Sequence, residues 1–177
     1  MAILAGVVVL GLLMGASVLL PAFVGGAWSP TPRRAVRRGL ELAEAKPGER
    51  LFDLGAGDGR VVLLAARQFG LEAVGVEVDP IKAWLIAARA RLQGAGRRVR
   101  VERSNFFDVD LSPADIVFFY LSPAAAARLR SKFEAELRPE ARVVSYRRPI
   151  DGWRAWRREG GLYVYRMSEV RGEEQAG

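Results

Sequence analysis

The 177-residue sequence contains no cysteine and no histidine. Their absence excludes a thiol nucleophile, a disulfide, an imidazole base and a zinc site built from the usual nitrogen and sulfur ligands. We therefore expect no metal, and any chemistry must rely on carboxylates, hydroxyls, the backbone or a reactive cofactor. A cofactor that arrives already activated suits this sequence, because the protein then mainly holds the reactants in line.

Lysine is scarce as well, so the net charge of +7 comes mostly from arginine. A basic excess can indicate nucleic acid binding, but the sequence contains no RNA-binding module and no stripe of aromatic and basic residues. Nucleic acid is therefore not expected as a partner. An anionic lipid surface explains the basic charge at least as well.

Charged side chains are missing altogether from Ala2–Val24. A helix of that length spans about 34 Å, which is enough for the hydrocarbon core of a bilayer, so a transmembrane anchor is predicted for residues 1–27. The nearest charges are four arginines at positions 33–38, and the positive-inside rule then places the rest of a single-pass chain on the cytoplasmic side. A signal peptide cut near Ala27 and a buried core helix remain as alternatives.

The most informative stretch is Leu51–Arg60, with the sequence LFDLGAGDGR. Its short apolar run and three glycines at alternate positions predict a buried strand, a tight turn and a helix over Gly59–Gln68. A side chain on either of the first two glycines would keep a ligand away from the backbone. About twenty residues later the predicted strand Leu71–Val76 ends in Glu77, where nucleoside-binding folds place a carboxylate on ribose hydroxyls.

The spacing of these glycines indicates which nucleoside binds. A diphosphate-binding loop has the pattern G-x-G-x-x-G, whereas this loop is G-x-G-x-G, and Asp53 and Asp58 would repel a diphosphate. The same acids attract a ligand that carries an amino group and a sulfonium. The sequence therefore predicts S-adenosylmethionine (SAM) as the cosubstrate, bound by Asp53, Gly55, Gly57, Asp58, Gly59 and Glu77. The alternative is a glycine turn that binds nothing.

Strands alternate with helices along the remaining chain, which predicts an α/β doubly wound sheet. Further strands are predicted over Val99–Glu102, Ala114–Tyr120 and Ala141–Tyr146, followed by a hairpin of Trp153–Arg157 and Leu162–Met167. The predicted organisation is the anchor at 1–27, a connector and first helix at 28–48, the α/β domain at 49–168 and a flexible tail at 169–177.

Several candidate site residues follow the predicted strands, because ligands bind at the carboxyl ends of such strands. Asn105 would hydrogen-bond to an adenine and Phe106 would stack on it; the alternative is a capping Asn in a loop beside a core Phe. The acceptor site is predicted to be lined by Tyr120, Ser122, Pro123 and Trp153. Core packing is the alternative for the two aromatic residues, and no residue stands out as a catalytic base.

Four segments, Asp53–Arg60, Glu77–Pro80, Ser104–Phe106 and Ala141–Ser145, together resemble the class I SAM-dependent methyltransferases. Within these, the chain is most similar to the small lysine methyltransferase family that includes the ATP synthase c-subunit lysine N-methyltransferase. The resemblance runs from about residue 30 to about residue 153. The Pro-Thr-Pro connector and the Arg-Val-Val-Ser strand narrow it to this family.

The resemblance implies a Rossmann-like fold and methyl transfer from SAM to a protein lysine. The predicted anchor holds the active site near a membrane, so lysines of membrane proteins are the expected acceptors. It also implies that Asp53, Gly55 and Gly57 hold the methionine part of SAM, Glu77 the ribose, and Asn105 and Phe106 the adenine. The sequence departs from the family at Asn105, where an aspartate is common, and at Arg148, where an aromatic residue is expected. A methyltransferase of a small or lipid-like amine and a non-catalytic SAM-binding regulator remain as alternatives.

Overall fold

The computed structural model describes residues 30–175, with side chains up to residue 172. In chain order the elements are α1 (Arg33–Leu42), β1 (Arg50–Leu54), α2 (Arg60–Leu64, extended by a π-helical turn, Ala65–Phe69), β2 (Glu72–Val76), α3 (Pro80–Leu92), β3 (Val99–Glu102), β4 (Ile116–Phe119), α4 (Pro123–Glu136), β5 (Arg142–Tyr146), β6 (Arg157–Glu159), β7 (Leu162–Arg166) and α5 (Met167–Gln175).

The seven strands form one sheet in the order β3-β2-β1-β4-β5-β7-β6. The first five are parallel, and β7 pairs antiparallel with both β5 and β6. The strand order runs one way from β1 to β3 and the other way from β4 onward, so it reverses between β1 and β4. Such folds bind their ligands at this point. This is the predicted Rossmann-like α/β architecture, closed at one edge by an antiparallel hairpin.

Helices cover both faces of the sheet. Buried residues of α1, α2 and α3 form one core with the sheet, whereas α4 and α5 contribute to a second core on the other face. Strand β4 is buried along its whole length, as a central strand between two helical layers must be. Tyr120 packs against the first core and Trp153 belongs to the second.

The hairpin and the C-terminal segment differ from the sequence prediction. The first arm of the hairpin is β6, so the segment from Trp153 to Trp156 is not a strand. Residues 169–175 lie within helix α5 rather than in a flexible tail. This helix packs because Val170 is buried and the guanidinium of Arg171 donates to the carbonyls of Glu134 (2.8 Å) and Leu137 (2.6 Å) at the end of α4.

The predicted transmembrane helix falls outside the described residues. Between residues 30 and 175, no helix combines the length and the apolar character that crossing a bilayer requires.

Candidate cosubstrate and acceptor site

The glycine loop between β1 and α2 is fastened to the end of β2. The N–H groups of Gly55 and Ala56 donate to the carbonyl of Val76 at 3.0 and 2.9 Å. The N–H of Gly57 donates to Oε2 of Glu77 at 2.8 Å. Since these three donors already have partners in the protein, the loop is not organised to bind a phosphate through them.

Two glycines of the loop are required by its geometry. Gly55 has φ +80°, and a Cβ there would lie 3.0 Å from the side chain of Leu121. Gly59 has φ +78°, and its Cβ would lie 2.9 Å from Ile86 of α3. A side chain would therefore strain the backbone at both positions and separate α2 from α3 at the second.

Two buried carboxylates, those of Asp53 and Glu77, lie next to this loop. Asp53, at the end of β1, is only 4% exposed, and among residues 30–175 nothing donates a hydrogen bond to its Oδ2. Burial raises the pKa of Asp53 well above its usual value of 3.8, and the charges of Glu77 and Asp58 raise it further. A buried carboxylate without a donor is costly unless a cation or donor joins it. This geometry indicates a site for a cationic group.

Glu77 holds the loop in place as well as facing the site. Its Oε2 accepts from Gly57, and its Oε1 accepts from the N–H of Asp79 at 3.0 Å. Asp79 in turn caps α3, because its Oδ1 accepts from the N–H groups of Ile81 (2.8 Å) and Lys82 (3.2 Å). Each Glu77 oxygen retains a second lone pair that a ribose hydroxyl can use.

Asp58 is held by arginine. Arg60 donates to both of its carboxylate oxygens, with the closest contact at 2.7 Å, and Arg89 of α3 donates to its carbonyl at 2.9 Å. Burial acts to raise the pKa of Asp58, but the hydrogen bonds from Arg60 outweigh it and the pKa is lowered. Arg60 also donates to the carbonyl of Thr31 at 3.0 Å, so it joins the start of the described chain to the loop.

These residues fit SAM. The uncompensated Asp53 carboxylate suits its ammonium group, the exposed Gly55 allows close approach at the carboxyl end of β1, and Glu77 is placed for the ribose. The residues that would hold SAM are thus Asp53 and Glu77 with the glycines between them. Asp58 contributes through the shape of the loop, since Arg60 already neutralises its carboxylate.

Asn105 and Phe106, the predicted adenine contacts, have the geometry of the alternative interpretation, in which an Asn caps a loop beside a core Phe. The Oδ1 of Asn105 accepts from the N–H of Phe107 at 3.1 Å, as in an Asx turn. Phe106 is 5% exposed and belongs to the second core, with its ring centroid 4.6 Å from that of Phe107. Contact of Asn105 and Phe106 with adenine stays a prediction, and Phe107 is the more accessible ring of the pair.

The acceptor side is formed by the segments that follow β4 and β5. The ring of Tyr120 meets that of Tyr146 edge to face, with centroids 5.1 Å apart. The guanidinium of Arg147 lies 5.3 Å from the centre of the Tyr146 ring. The pKa of Arg147 is raised by Tyr146, through charge and a hydrogen bond, and by a hydrogen bond with Tyr120. Two aromatic rings and an arginine side chain therefore lie at this edge.

Arg148 joins the two segments. Its Nε donates to the carbonyl of Leu121 at 3.1 Å, and its guanidinium lies 5.8 Å from the centre of the Tyr120 ring. Ser122 caps α4, since its Oγ accepts from the N–H of Ala125 at 3.2 Å, and the exposed Pro123 is the first residue of that helix. Tyr120, Ser122 and Pro123 are thus brought together at the predicted edge of the sheet.

Trp153 is not part of this edge. Its indole N–H donates to Glu134 at 2.9 Å, and its ring packs against Tyr165 and Phe133 in the second core. Tyr120 packs on the opposite face of the sheet. Core packing and the hydrogen bond to Glu134 use both ends of the indole, which is the alternative interpretation of Trp153, so its contact with an acceptor stays a prediction.

Sequence reasoning missed Tyr146 and Arg147. Both follow from the strand pattern, since β5 is parallel to β4 and its carboxyl end must reach the same edge as Tyr120. Arg148 was visible only as a departure from the family pattern. In this protein Arg148 links the segment after β5 to the segment after β4, through its hydrogen bond to the carbonyl of Leu121.

Comparisons with known proteins agree with this geometry. The ANTKMT methyltransferase domain family matches residues 53–157. A protein-lysine N-methyltransferase of Saccharolobus islandicus is 39% identical over 125 residues, covering 70% of this chain and 78% of that protein. The mouse adenine nucleotide translocase lysine N-methyltransferase is 39% identical over 121 residues, 68% of this chain, so the match spans only about half (52%) of that protein.

Solved structures place the fold in the same group. The structure of an RNA methyltransferase of Salinibacter ruber in complex with S-adenosyl-L-homocysteine superposes with a TM-score of 0.74 and 36% identity, covering 78% of this chain and 92% of that one. A Thiobacillus denitrificans SAM-dependent methyltransferase, also bound to S-adenosyl-L-homocysteine, is 19% identical and shows the fold alone, with a TM-score of 0.53. From its matched domain and its relatives, this chain belongs to the ANTKMT family of SAM-dependent methyltransferases.

Proposed function

We propose that this protein transfers methyl groups from SAM to lysine side chains of proteins, and that residues 1–27 hold it at the cytoplasmic surface of a membrane. The observation that carries the methyl transfer is the buried Asp53 carboxylate, whose Oδ2 accepts no hydrogen bond from residues 30–175, beside Glu77 and the glycine loop. The relatives named for lysine methylation supply the acceptor class.

SAM, when bound, supplies an activated methyl group. Asp53 and Glu77 would hold it at the carboxyl ends of β1 and β2, on the same side of the sheet as the edge that carries Tyr120 and Tyr146. Methyl transfer of this kind needs little from the protein beyond alignment and the exclusion of water. The absence of histidine and cysteine is compatible with that requirement.

The acceptor side favours a neutral amine. A lysine ammonium has a pKa near 10.4, so only about one in two thousand is uncharged at pH 7. The fixed cations Arg147 and Arg148 lower the pKa of an ammonium that approaches them, and the aromatic rings of Tyr120 and Tyr146 reduce its hydration. Tyr120 and Ser122 serve as lining groups.

The membrane location is supported by charge and by chain length. Residues 2–24 carry no charged side chain, and the first described helix begins at Arg33, within ten residues of them. A catalytic domain joined by so short a connector stays near the bilayer surface, which raises its effective concentration towards acceptors there.

RNA methylation is the second candidate, because the Salinibacter neighbour that covers 78% of this chain is named an RNA methyltransferase. One experiment separates the candidates: labelled SAM is given to the full chain in vesicles and to residues 28–177 in solution, each with the same membrane proteins, soluble proteins, lipids and RNA. We expect the full chain to label lysines of membrane proteins preferentially, and the shortened chain to lose that preference. Label in RNA, lipid or metabolites would refute protein lysine as the acceptor, and identical protein patterns would refute the role of residues 1–27.

A further inference from the structure

Helix α3 leaves an apolar stripe uncovered on its outer face. All four large apolar side chains that are exposed in the described part of the chain lie on this one helix: Ile81, Trp84 (66% exposed), Leu85 and Leu92 (87% exposed). The opposite face of the helix, through Ala83, Ile86 and Ala90, packs on the sheet. A helix that is apolar on both faces requires a second apolar environment.

The stripe has a definite geometry. With about 100° between successive helical residues, the four exposed apolar side chains and Ala88 fall within an arc of about 100°. Arg91 lies on one side of that arc and Arg89 on the other, with Lys82 beyond Arg89 in an ion pair with Asp79. Long basic side chains on both flanks of an apolar stripe are typical of helices that lie in a membrane interface, where the cationic ends reach the headgroups.

All charged residues of α3 and of the segment that follows it are basic. Residues 80–101 contain one lysine and five arginines and no aspartate or glutamate. Two acids lie near the N-terminal end of α3. Asp79 caps the helix and forms an ion pair with Lys82, and Asp58 forms an ion pair with Arg60. A surface of this composition is complementary to anionic lipid, because such lipid attracts basic residues that lie near it.

The start of the described chain lies on the same side of the domain. Helices α1, α2 and α3 share one face of the sheet. Arg60 of α2 bonds to the carbonyl of Thr31 and to Asp58, and Asp58 is bonded through its carbonyl to Arg89 of α3. The described chain therefore begins, near Thr31, on the side of the domain that carries the stripe.

We propose that the outer face of α3 inserts into the headgroup region of an anionic bilayer and so fixes the orientation of the catalytic domain on the membrane. The proposal rests on the membrane location proposed above. Lipid is favoured over RNA as the occupant because three of the four exposed apolar side chains are aliphatic and cannot stack on bases. The Glu77 end of the sheet lies directly before α3, so the orientation holds the site at a constant distance from the lipid surface.

The experiment uses the absence of cysteine. Ala88→Cys places a single label within the stripe, and Ala127→Cys places the same label on the exposed side of α4, across the sheet. Each full-length variant carries an environment-sensitive fluorophore and is reconstituted in phosphatidylcholine vesicles with or without phosphatidylglycerol. Brominated lipids then quench labels that reach the acyl boundary, into which the apolar face of an interfacial helix is buried by about 5 to 10 Å.

We expect quenching of the position-88 label to exceed that of the position-127 label by about threefold or more, because only the former reaches the acyl boundary. The difference should shrink without phosphatidylglycerol and at about 1 M salt, where the Debye length falls to about 3 Å. A further variant, Trp84→Ser with Leu92→Ser, should abolish it.

Equal quenching of both labels would overturn the proposal, as would a position-88 signal that depends on protein density in the membrane, which would indicate a second copy of the chain. A position-88 signal displaced by single-stranded RNA would overturn it too. Flotation and methyl transfer are measured on the same samples. Protein that floats and methylates but shows equal quenching refutes only the role of α3, whereas protein that does not float refutes the membrane location itself.

Discussion

Replacing Asp53 by asparagine should make the SAM-free protein more stable while weakening its binding of SAM. In the wild type, the Asp53 carboxylate is buried, and its Oδ2 accepts no hydrogen bond from the described residues. Leaving a buried polar group unsatisfied costs about 1 to 3 kcal/mol, and more when the group is charged. The asparagine side chain is neutral, and its amide can donate towards Glu77. We therefore expect the melting temperature without ligand to rise by about 2 to 10 °C.

The pH dependence gives this prediction its sign. Because the pKa of Asp53 is raised on folding, the wild-type protein carries no penalty below pH 3.8 and loses stability as pH rises through the folded-state pKa. SAM affinity should change in the opposite direction, rising through the same interval as the carboxylate forms, because the ammonium group binds the ionised form. Asp53→Asn should remove both dependences and lower SAM affinity about ten- to a hundredfold at neutral pH.

Calorimetry with SAM and thermal unfolding over a pH series measure both effects. Asp151→Asn is the matched control, since it makes the same chemical change at an exposed carboxylate. A variant with unchanged melting temperature and unchanged SAM affinity would show that Asp53 is already satisfied in the free protein. A variant that loses both stability and affinity would show that its carboxylate holds the fold together.

Further predictions concern Glu77 and Arg171. Because Glu77 accepts from both Gly57 and Asp79, Glu77→Ala should lower stability as well as SAM affinity, whereas Glu77→Gln should keep the melting temperature closer to the wild type and still bind SAM about tenfold more weakly. Calorimetry on both variants checks this, and a Gln variant with wild-type affinity would remove the Glu77 charge from the site. Arg171→Ala should lower the free energy of unfolding by about 1.5 to 3 kcal/mol, because two carbonyls at the end of α4 lose a charged donor. Denaturant unfolding with Arg154→Ala, an exposed arginine, as control would contradict this if the two variants unfolded alike.

Much of the sheet could be predicted from the sequence. Strands β1, β2, β4 and β5 contain short apolar runs bounded by turn residues, and β3 alternates apolar and charged residues. The Asp79-Pro80 and Ser122-Pro123 pairs mark the starts of α3 and α4. Helix α5 could not be predicted, because its acidic sequence becomes helical through tertiary contacts made by Val170 and Arg171. Propensity alone does not contain such contacts.

The site shows the same division. The positions of Asp53 and Glu77 followed from strand ends, which are local features of the sequence. The role of Trp153 was ambiguous because a tryptophan after the last parallel strand can face either layer, and its partner Glu134 lies 19 residues away on another element. The role of Asn105 was similarly ambiguous, since an Asx turn and a ligand contact use the same amide oxygen.

The fastening of α1 to the hairpin has a consequence for how the chain is made. Arg38 donates to both carboxylate oxygens of Glu159 at 2.8 and 2.6 Å across a sequence separation of 121 residues, and Arg157 donates to the carbonyl of Leu42 at 3.0 Å. The first helix therefore lacks these partners until the last strands have left the ribosome. If residues 1–27 enter a membrane during synthesis, as proposed, α1 stays near the bilayer surface without these partners while about 120 residues are added. The fold is then completed when the β6–β7 hairpin, which is synthesised late, packs against α1, which is synthesised first.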